Sequence, residues 1–290
     1  MKFIIGFITV IGCVLGGYVM HHGKMEVLWQ PTEFLIILGA AIGSFIISSP
    51  GWLIKDTLKS MKYLLKGMPY VKKDYVELLV MLNATFKTMR SKGMLEIEQH
   101  IENPKESAIF QMAPKFLDSP SALHFFADYL RIMTMGMEDQ YQLDDMMEKD
   151  LEIHRAHGDH IAHAVNNMAD AMPALGIVAA VLGVIVTMGS ITEPPEILGK
   201  LIGAALVGTF LGVLVSYGFL APMGRYIGEY YAAKVKYMEV IKTAMLAHIK
   251  GNAPVLSVEF ARNSISETER PGFVEVEEAL AATPPPGGAA

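Results

Sequence analysis

The chain has 290 residues, of which 52% are hydrophobic, and a mean hydropathy of +0.34, which is high for a soluble protein. Its formal charge of −6 argues against a nucleic-acid partner. A single cysteine, Cys13, excludes a disulfide framework within the chain.

The apolar residues are concentrated in four stretches that carry no Asp, Glu, Lys or Arg. A bilayer core about 30 Å thick is crossed by about 20 helical residues. Only a helix satisfies all of its backbone groups within one segment there. We therefore predict an all-α integral membrane protein with four transmembrane helices and a helical cytoplasmic domain. The stretches are residues 3–20, 34–54, 171–192 and 201–224.

The basic residues flanking these stretches predict the orientation in the lipid bilayer. Lys24 and Lys200 flank the proposed outer ends, and many more basic residues flank the inner ends. This bias predicts that both termini lie in the cytoplasm. The outer connections are then residues 21–33 and 193–200. The inner basic residues are Lys2, Lys55, Lys59, Lys62, Lys66, Arg225, Lys234 and Lys236.

The first stretch has an alternative interpretation as a signal peptide, because Lys2 precedes an apolar run that ends in small residues. One basic residue is a weak positive region, and three more apolar stretches follow. The spanning interpretation is favoured.

The polar loop is predicted to be helical. Residues 75–92 have the pattern of a helix that Gly93 stops, and residues 138–167 have that of a long helix. Breaks are expected at 103–104 and 119–120, where a proline follows Asn or Ser.

These features divide the chain into five segments, and the last span is expected to continue as a helix to about Ile249. The segments are a first helix pair (1–54), a helical cytoplasmic domain (55–170), a second helix pair (171–224), a cytoplasmic helix and tail (225–280) and a disordered end (281–290).

The third and fourth stretches contain no acid, histidine or basic residue, although ion carriers usually place a titrating group at that depth. Either the protein conducts nothing, or a partner helix supplies the group.

Glycine pairs four residues apart occur in three of the stretches and permit close helix packing, within the subunit or between subunits. The pairs are Gly12 and Gly16, Gly39 and Gly43, and Gly208 and Gly212.

Pro173 and Pro222 lie at the start of the third stretch and the end of the fourth. In the first turn of a helix a proline costs no hydrogen bond, because the backbone N–H groups there have no partner within the helix. Pro173 is therefore interpreted as a helix start. Pro222 is interpreted as a helix stop or kink. The alternative is a paired hinge.

No enzyme, cofactor or metal site is expected. His154, His157, His160 and His163 recur at every third residue, a spacing that spreads them over half a helical turn. Zinc motifs on helices pair histidines four residues apart.

Several long runs in the second half of the chain are distinctive: MPALGIVAAVLG at 172–183, LVGTFLG at 206–212, YGFLAP at 217–222, VEFAR at 258–262 and RPGF at 270–273. They resemble the MotA family of flagellar stator subunits, and the similarity covers all but about the last ten residues. The resemblance implies a bacterial inner-membrane channel that converts ion flow into torque. It also implies a homo-oligomer, expected to be a pentamer, around a dimer of a MotB-like single-span subunit whose intramembrane Asp takes up the ion.

In that family two prolines couple ion uptake to movement, and they match Pro173 and Pro222. Thr209 would line the ion path. Sodium-type relatives carry a hydroxyl residue at the position matching Ala180, so the resemblance favours protons here.

The resemblance also implies a rotor contact on the cytoplasmic loop. Arg90 and Glu98 match family charges that face a FliG-like switch-ring protein, and Lys87 and Glu96 flank the same break at Gly93. Without the resemblance, these residues would be interpreted as a solvated helix end.

Two other functions remain open. An energiser of the ExbB/TolQ type is disfavoured because those proteins usually have three spans, with the large loop after the first. A non-conducting membrane scaffold is the other.

Overall fold

The computed structural model describes residues 2–137 and 139–282, and the regular elements in these ranges are all helical. The fourteen α-helices are α1 (Lys2–Met20), α2 (Met25–Leu28), α3 (Pro31–Ser48), α4 (Gly51–Ser60), α5 (Tyr63–Lys66), α6 (Lys72–Lys92), α7 (Met94–Glu102), α8 (Pro114–Leu117), α9 (Pro120–Thr134), α10 (Gln140–Met188), α11 (Pro195–Val215), α12 (Ala221–Ile249), α13 (Pro254–Ser264) and α14 (Phe273–Ala282).

The chain folds as two compact units. The apolar unit comprises Met1–Gly67 and His157–Tyr230, and the polar unit comprises Met68–Ala156 and Tyr231–Ala290. Helices α10 and α12 contribute residues to both units. The five-segment division made from the sequence stays a prediction, and residues 283–290 of its predicted disordered end lie outside the described residues.

Four helical segments are long and apolar enough to cross a membrane, which confirms the predicted fold class. They are Lys2–Met20, Met25–Ser48, Gln140–Met188 and Pro195–Ile249. The first of these, α1, has no buried residue in this chain, so its apolar side chains are available to lipid or to other subunits.

The second apolar stretch does not form the single helix that was expected over 34–54. Helix α3 ends at Ser48, and Ser49 is extended, with φ −118° and ψ 131°. The cause is Pro50, whose ring disfavours helical geometry in the residue before it. Trp52 consequently lies in α4, and its ring stacks on the His157 ring at 5.3 Å.

The long polar helix and the third apolar stretch are one continuous helix, α10, with Pro173 inside it. The interpretation of Pro173 as a helix start is therefore wrong. Glu138, the expected first residue of the long helix, lies outside the described residues. The expected end at Ile249 is confirmed by α12.

The polar unit has a core of aromatic and aliphatic side chains. At its centre the Tyr70 and Tyr237 rings stack at 3.8 Å, and the Tyr70 hydroxyl donates to Ser119 Oγ at 2.9 Å. Burial raises the pKa of Tyr70 to about 12. The expected stop at Gly93 is confirmed, with φ +88°, a backbone conformation that favours glycine.

Candidate functional site

Helices α10 and α11 meet in the apolar unit along a seam of small residues. A methyl group added at Gly212 would lie 2.6 Å from the Met172 carbonyl oxygen, and one added at Gly176 would lie 2.7 Å from the Gly208 carbonyl oxygen. Only glycine allows the two backbones to come this close. The pair Gly208 and Gly212 therefore packs within the subunit.

The other two glycine pairs have no such contact. A methyl group added at Gly12, Gly16, Gly39 or Gly43 would meet no atom of the described chain within 4 Å. Packing within the subunit does not explain these pairs, whose faces are open to lipid or to a second protein chain.

Two of the predicted ion-path residues lie at the seam. The Ala180 backbone nitrogen lies 3.1 Å from the ideal Cβ position of Gly208, and the Thr209 Cα lies 3.3 Å from that of Gly176. Both residues are half-buried. The Thr209 hydroxyl forms no hydrogen bond with the described residues. The Thr187 hydroxyl, by comparison, donates to the carbonyl oxygen of Gly183 in its own helix at 2.9 Å. The Thr209 hydroxyl is free for water or a partner.

Pro173 is half-buried in α10, where it removes the helical bond to the Ala169 carbonyl. Its neighbour Met172 contacts Gly212, so this weak point of α10 borders the seam.

Pro222 has a different setting, because it follows a π-helical turn, Ser216–Leu220. The Ala221 N–H donates to the Ser216 carbonyl five residues back, instead of the usual four. Such turns are rare, occur mostly as single turns inside α-helices, and are frequent at functional sites. The sequence predicts a helix stop or a kink at Pro222. The stop is wrong, since α12 continues through Pro222, and the kink stays a prediction. The ring of Pro222 is exposed and lies next to the π-helical turn.

One acidic side chain, missed by sequence reasoning, also reaches the seam. Glu33 was placed in an outer connection, but it lies in the first turn of α3 and is only 7% exposed. Its Oε2 atom lies 2.8 Å from the ideal Cβ position of Gly208. A lone acid next to an apolar stretch was the only sequence signal for it.

The four residues predicted to contact the rotor lie at the break between α6 and α7. Lys87, Arg90 and Glu98 are exposed and form no ion pair with the described residues. Glu96 forms a salt bridge with Lys92, in which Lys92 Nζ lies 3.0 Å from Glu96 Oε1. The exposed, unpaired charges are available to an outside partner.

Beside Arg90 lies a methionine-lined groove of about 520 Å³, to which Met89, Met94, Met133 and Met137 contribute. His248 also lines this groove, and its ring stacks on the Phe86 ring at 4.4 Å. Burial, and then the Arg90 guanidinium, lower the pKa of His248, so its ring is neutral near pH 7.

The four spaced histidines do not converge on one point. Within the apolar unit, His157 Nε2 lies 3.6 Å from Asp56 Oδ2, and His160 packs edge-on to Trp52. In the polar unit, His154 Nε2 lies 3.7 Å from Asp150 Oδ1. The described residues contain no group of three potential metal ligands.

Comparison with known proteins gives matches along most of the chain. Residues 4–93 match the family model described as Motility protein A N-terminal, and residues 119–240 match the MotA/TolQ/ExbB proton channel family. Motility protein A of Escherichia coli (strain K12) is 39% identical over 286 residues, covering 99% of this chain and 97% of that protein. Motility protein A of Salmonella typhimurium is 40% identical over 278 residues, with coverage of 96% and 94%.

The fold also agrees with a solved structure, that of C. jejuni MotAB. The TM-score is 0.76 at 20% sequence identity, and the match covers 92% of this chain and 96% of that one. The structural match supports the fold, and the sequence matches establish the relationship. This chain belongs to the Motility protein A family, within the MotA/TolQ/ExbB proton channel family.

Proposed function

We propose that this chain is a stator subunit of the bacterial flagellar motor, which forms with a MotB-like partner an ion channel that converts ion flow into torque on the rotor. The observation that carries the proposal is the 39% sequence identity between this chain and Motility protein A of Escherichia coli, over nearly the whole length of both chains.

The partner supplies the intramembrane aspartate that takes up the ion, and it packs against the seam of α10 and α11. The half-buried Thr209 and Ala180 and the absence of charged residues from 171–192 and 201–224 favour this arrangement. Ala180 offers no side-chain oxygen to a dehydrated sodium ion, so the coupling ion is a proton. Pro173 and Pro222 are the weak points through which uptake changes helix geometry.

Several copies of the chain, five by analogy with the family, surround a partner dimer in the inner membrane. The unpartnered glycine pairs of α1 and α3 favour close contacts between chains. Both termini face the cytoplasm, as the distribution of basic residues predicts. The chain has no catalytic role.

Torque is delivered through the exposed charges at the break between α6 and α7. Arg90 and Glu98 pair with opposite charges on a FliG-like switch-ring protein, assisted by Lys87 and Glu96. Exposed pairs contribute only about 0.2–1 kcal/mol each, which suits contacts that form and break at every step.

The proposal is tested by expressing the chain with its partner in a bacterium that lacks both stator proteins. Restored swimming is expected, and a normally inserted but non-motile complex would contradict the stator function. Swimming speed that follows external sodium at constant pH would contradict the proton assignment, whereas collapse with a protonophore agrees with it.

A further inference from the structure

Glu33 is a buried acid in the apolar unit that the proposed mechanism does not use. It is only 7% exposed, and its Oε2 atom is buried without a hydrogen-bond partner among the described residues. It belongs to Met25–Ser48, one of the four segments able to cross a membrane. Ionisable groups in such segments are costly to bury and usually mark function.

The position of Glu33 follows from the path of α2 and the start of α3. Helix α2 and the start of α3 pack along α11. In α2, Val27 Cγ1 lies 3.7 Å from the ideal Cβ position of Gly203. Gly208 is five residues further along α11, or about 7.5 Å deeper at 1.5 Å per residue. Glu33 therefore lies below the outer end of the bundle.

Two glycines make room for the carboxyl group. Glu33 Oε2 lies 2.8 Å from the ideal Cβ position of Gly208, and Oε1 lies 3.7 Å from that of Gly183. Any larger residue at Gly208 would displace the acid. The glycines thus form a notch that admits a carboxyl group between α10 and α11.

No salt bridge to a described residue compensates the acid in this notch. Residues 171–188 of α10 and 201–215 of α11 contain no Asp, Glu, His, Lys or Arg, and Glu26 of α2 is exposed. Burying an unpaired carboxylate in such apolar surroundings costs far more free energy than burying a neutral carboxylic acid. The Glu33 group therefore holds a proton at rest.

The notch is at the same level as the proposed ion path. Gly208, which contacts Glu33, precedes Thr209 in α11, and Ala180 lies against the same glycine. A proton on Glu33 is thus held beside the two residues proposed to face the partner's aspartate.

We propose that Glu33 is a second proton-carrying site, supplied by this chain and located beside the residues that face the partner's aspartate. The O–H bond of Glu33 breaks as the partner's carboxylate takes the proton. The Glu33 carboxylate then takes a proton from hydronium on the outer side, which leaves water. This inference rests on the proposed stator function.

The test compares Glu33→Gln with Glu26→Gln in vesicles that contain the chain and its partner. Glutamine keeps the shape of the side chain but cannot carry a proton. Glu33→Gln is expected to lower proton flux about 100-fold, the scale of a positioned proton carrier, while the partner still copurifies. Glu26→Gln, the same change on an exposed outer acid, is expected to conduct like the parent. Parental flux in Glu33→Gln, with flux still abolished by changing the partner's aspartate to asparagine, would overturn the Glu33 proposal and leave the stator function intact.

A second measurement does not depend on how the Glu33 variant folds. In the complex with the partner's aspartate changed to asparagine, infrared spectroscopy at neutral pH is expected to show a protonated carboxyl band that shifts in D₂O. Absence of that band would overturn the proposal.

Discussion

Met172 and Gly212 are in backbone contact across the seam: the Met172 carbonyl oxygen lies 2.6 Å from the position that a Gly212 Cβ would occupy. The Met172 carbonyl and the Gly212 Cα both belong to the backbone. Neither can therefore move away by rotating, as a side chain could. The seam of α10 and α11 therefore depends on glycine here.

Gly212→Ala is predicted to destabilise the folded chain by about 1–3 kcal/mol, the usual cost of overpacking. A lower melting temperature in detergent, measured with the partner present, checks this. Gly6→Ala is the control, because a methyl group there would meet no atom of the described residues within 4 Å. Equal melting temperatures for the two variants would show that the seam is looser than described.

Pro173→Leu is predicted to lower torque without loss of assembly. Leucine supplies an N–H that can bond to the Ala169 carbonyl, and removing an internal proline relieves a cost of about 3 kcal/mol. The variant should thus be at least as stable as the parent but slower in a tethered-cell assay. Pro195→Ala, at the first turn of α11, is the control with no such bond to restore. Normal torque in Pro173→Leu would remove the hinge role.

Arg90→Glu is predicted to impair swimming while membrane insertion and stability stay normal. Arg90 is exposed and forms no ion pair with the described residues, so the expected change in folding stability lies within about 0.5 kcal/mol. Lys115→Glu makes the same charge change at another exposed position of the polar unit. Swimming that is unchanged in Arg90→Glu, or equally reduced in both variants, would argue against a specific rotor contact.

The stacked tyrosines of the polar unit give a matched pair of stability predictions. Tyr70→Phe loses the hydrogen bond to Ser119 and should cost about 1 kcal/mol. The Tyr237 hydroxyl is buried without a partner among the described residues, so Tyr237→Phe should be neutral or stabilising by up to about 1 kcal/mol. Melting curves of the two variants check the order, and the reverse order would contradict the assigned hydrogen bonding.

Hydropathy and turn residues predicted much of this fold because they act locally. Four apolar stretches, the stop at Gly93 and the end of α12 at Ile249 each follow from the neighbouring residues alone. Hydropathy alone failed at Pro50, because the proline ends α3 inside an apolar run through its effect on the residue before it. The rule that proline starts a helix failed at Pro173, which lies inside the continuous helix α10.

The site was less accessible to sequence reasoning because it depends on contacts between distant helices. Thr209 and Ala180 were selected by resemblance, and their placement at the seam needs the packing of α10 on α11. Glu33 was missed because its burial depends on how α2 packs along α11. The spacing of apolar residues along the sequence does not predict such a contact between helices.

The central claim is that ion flow through this chain requires an acid from a partner. The most direct measurement is proton flux into vesicles that contain the chain alone, the chain with its partner, or the chain with a partner whose intramembrane aspartate is changed to asparagine. Flux is predicted only in the second case. Full flux through the chain alone would contradict the account.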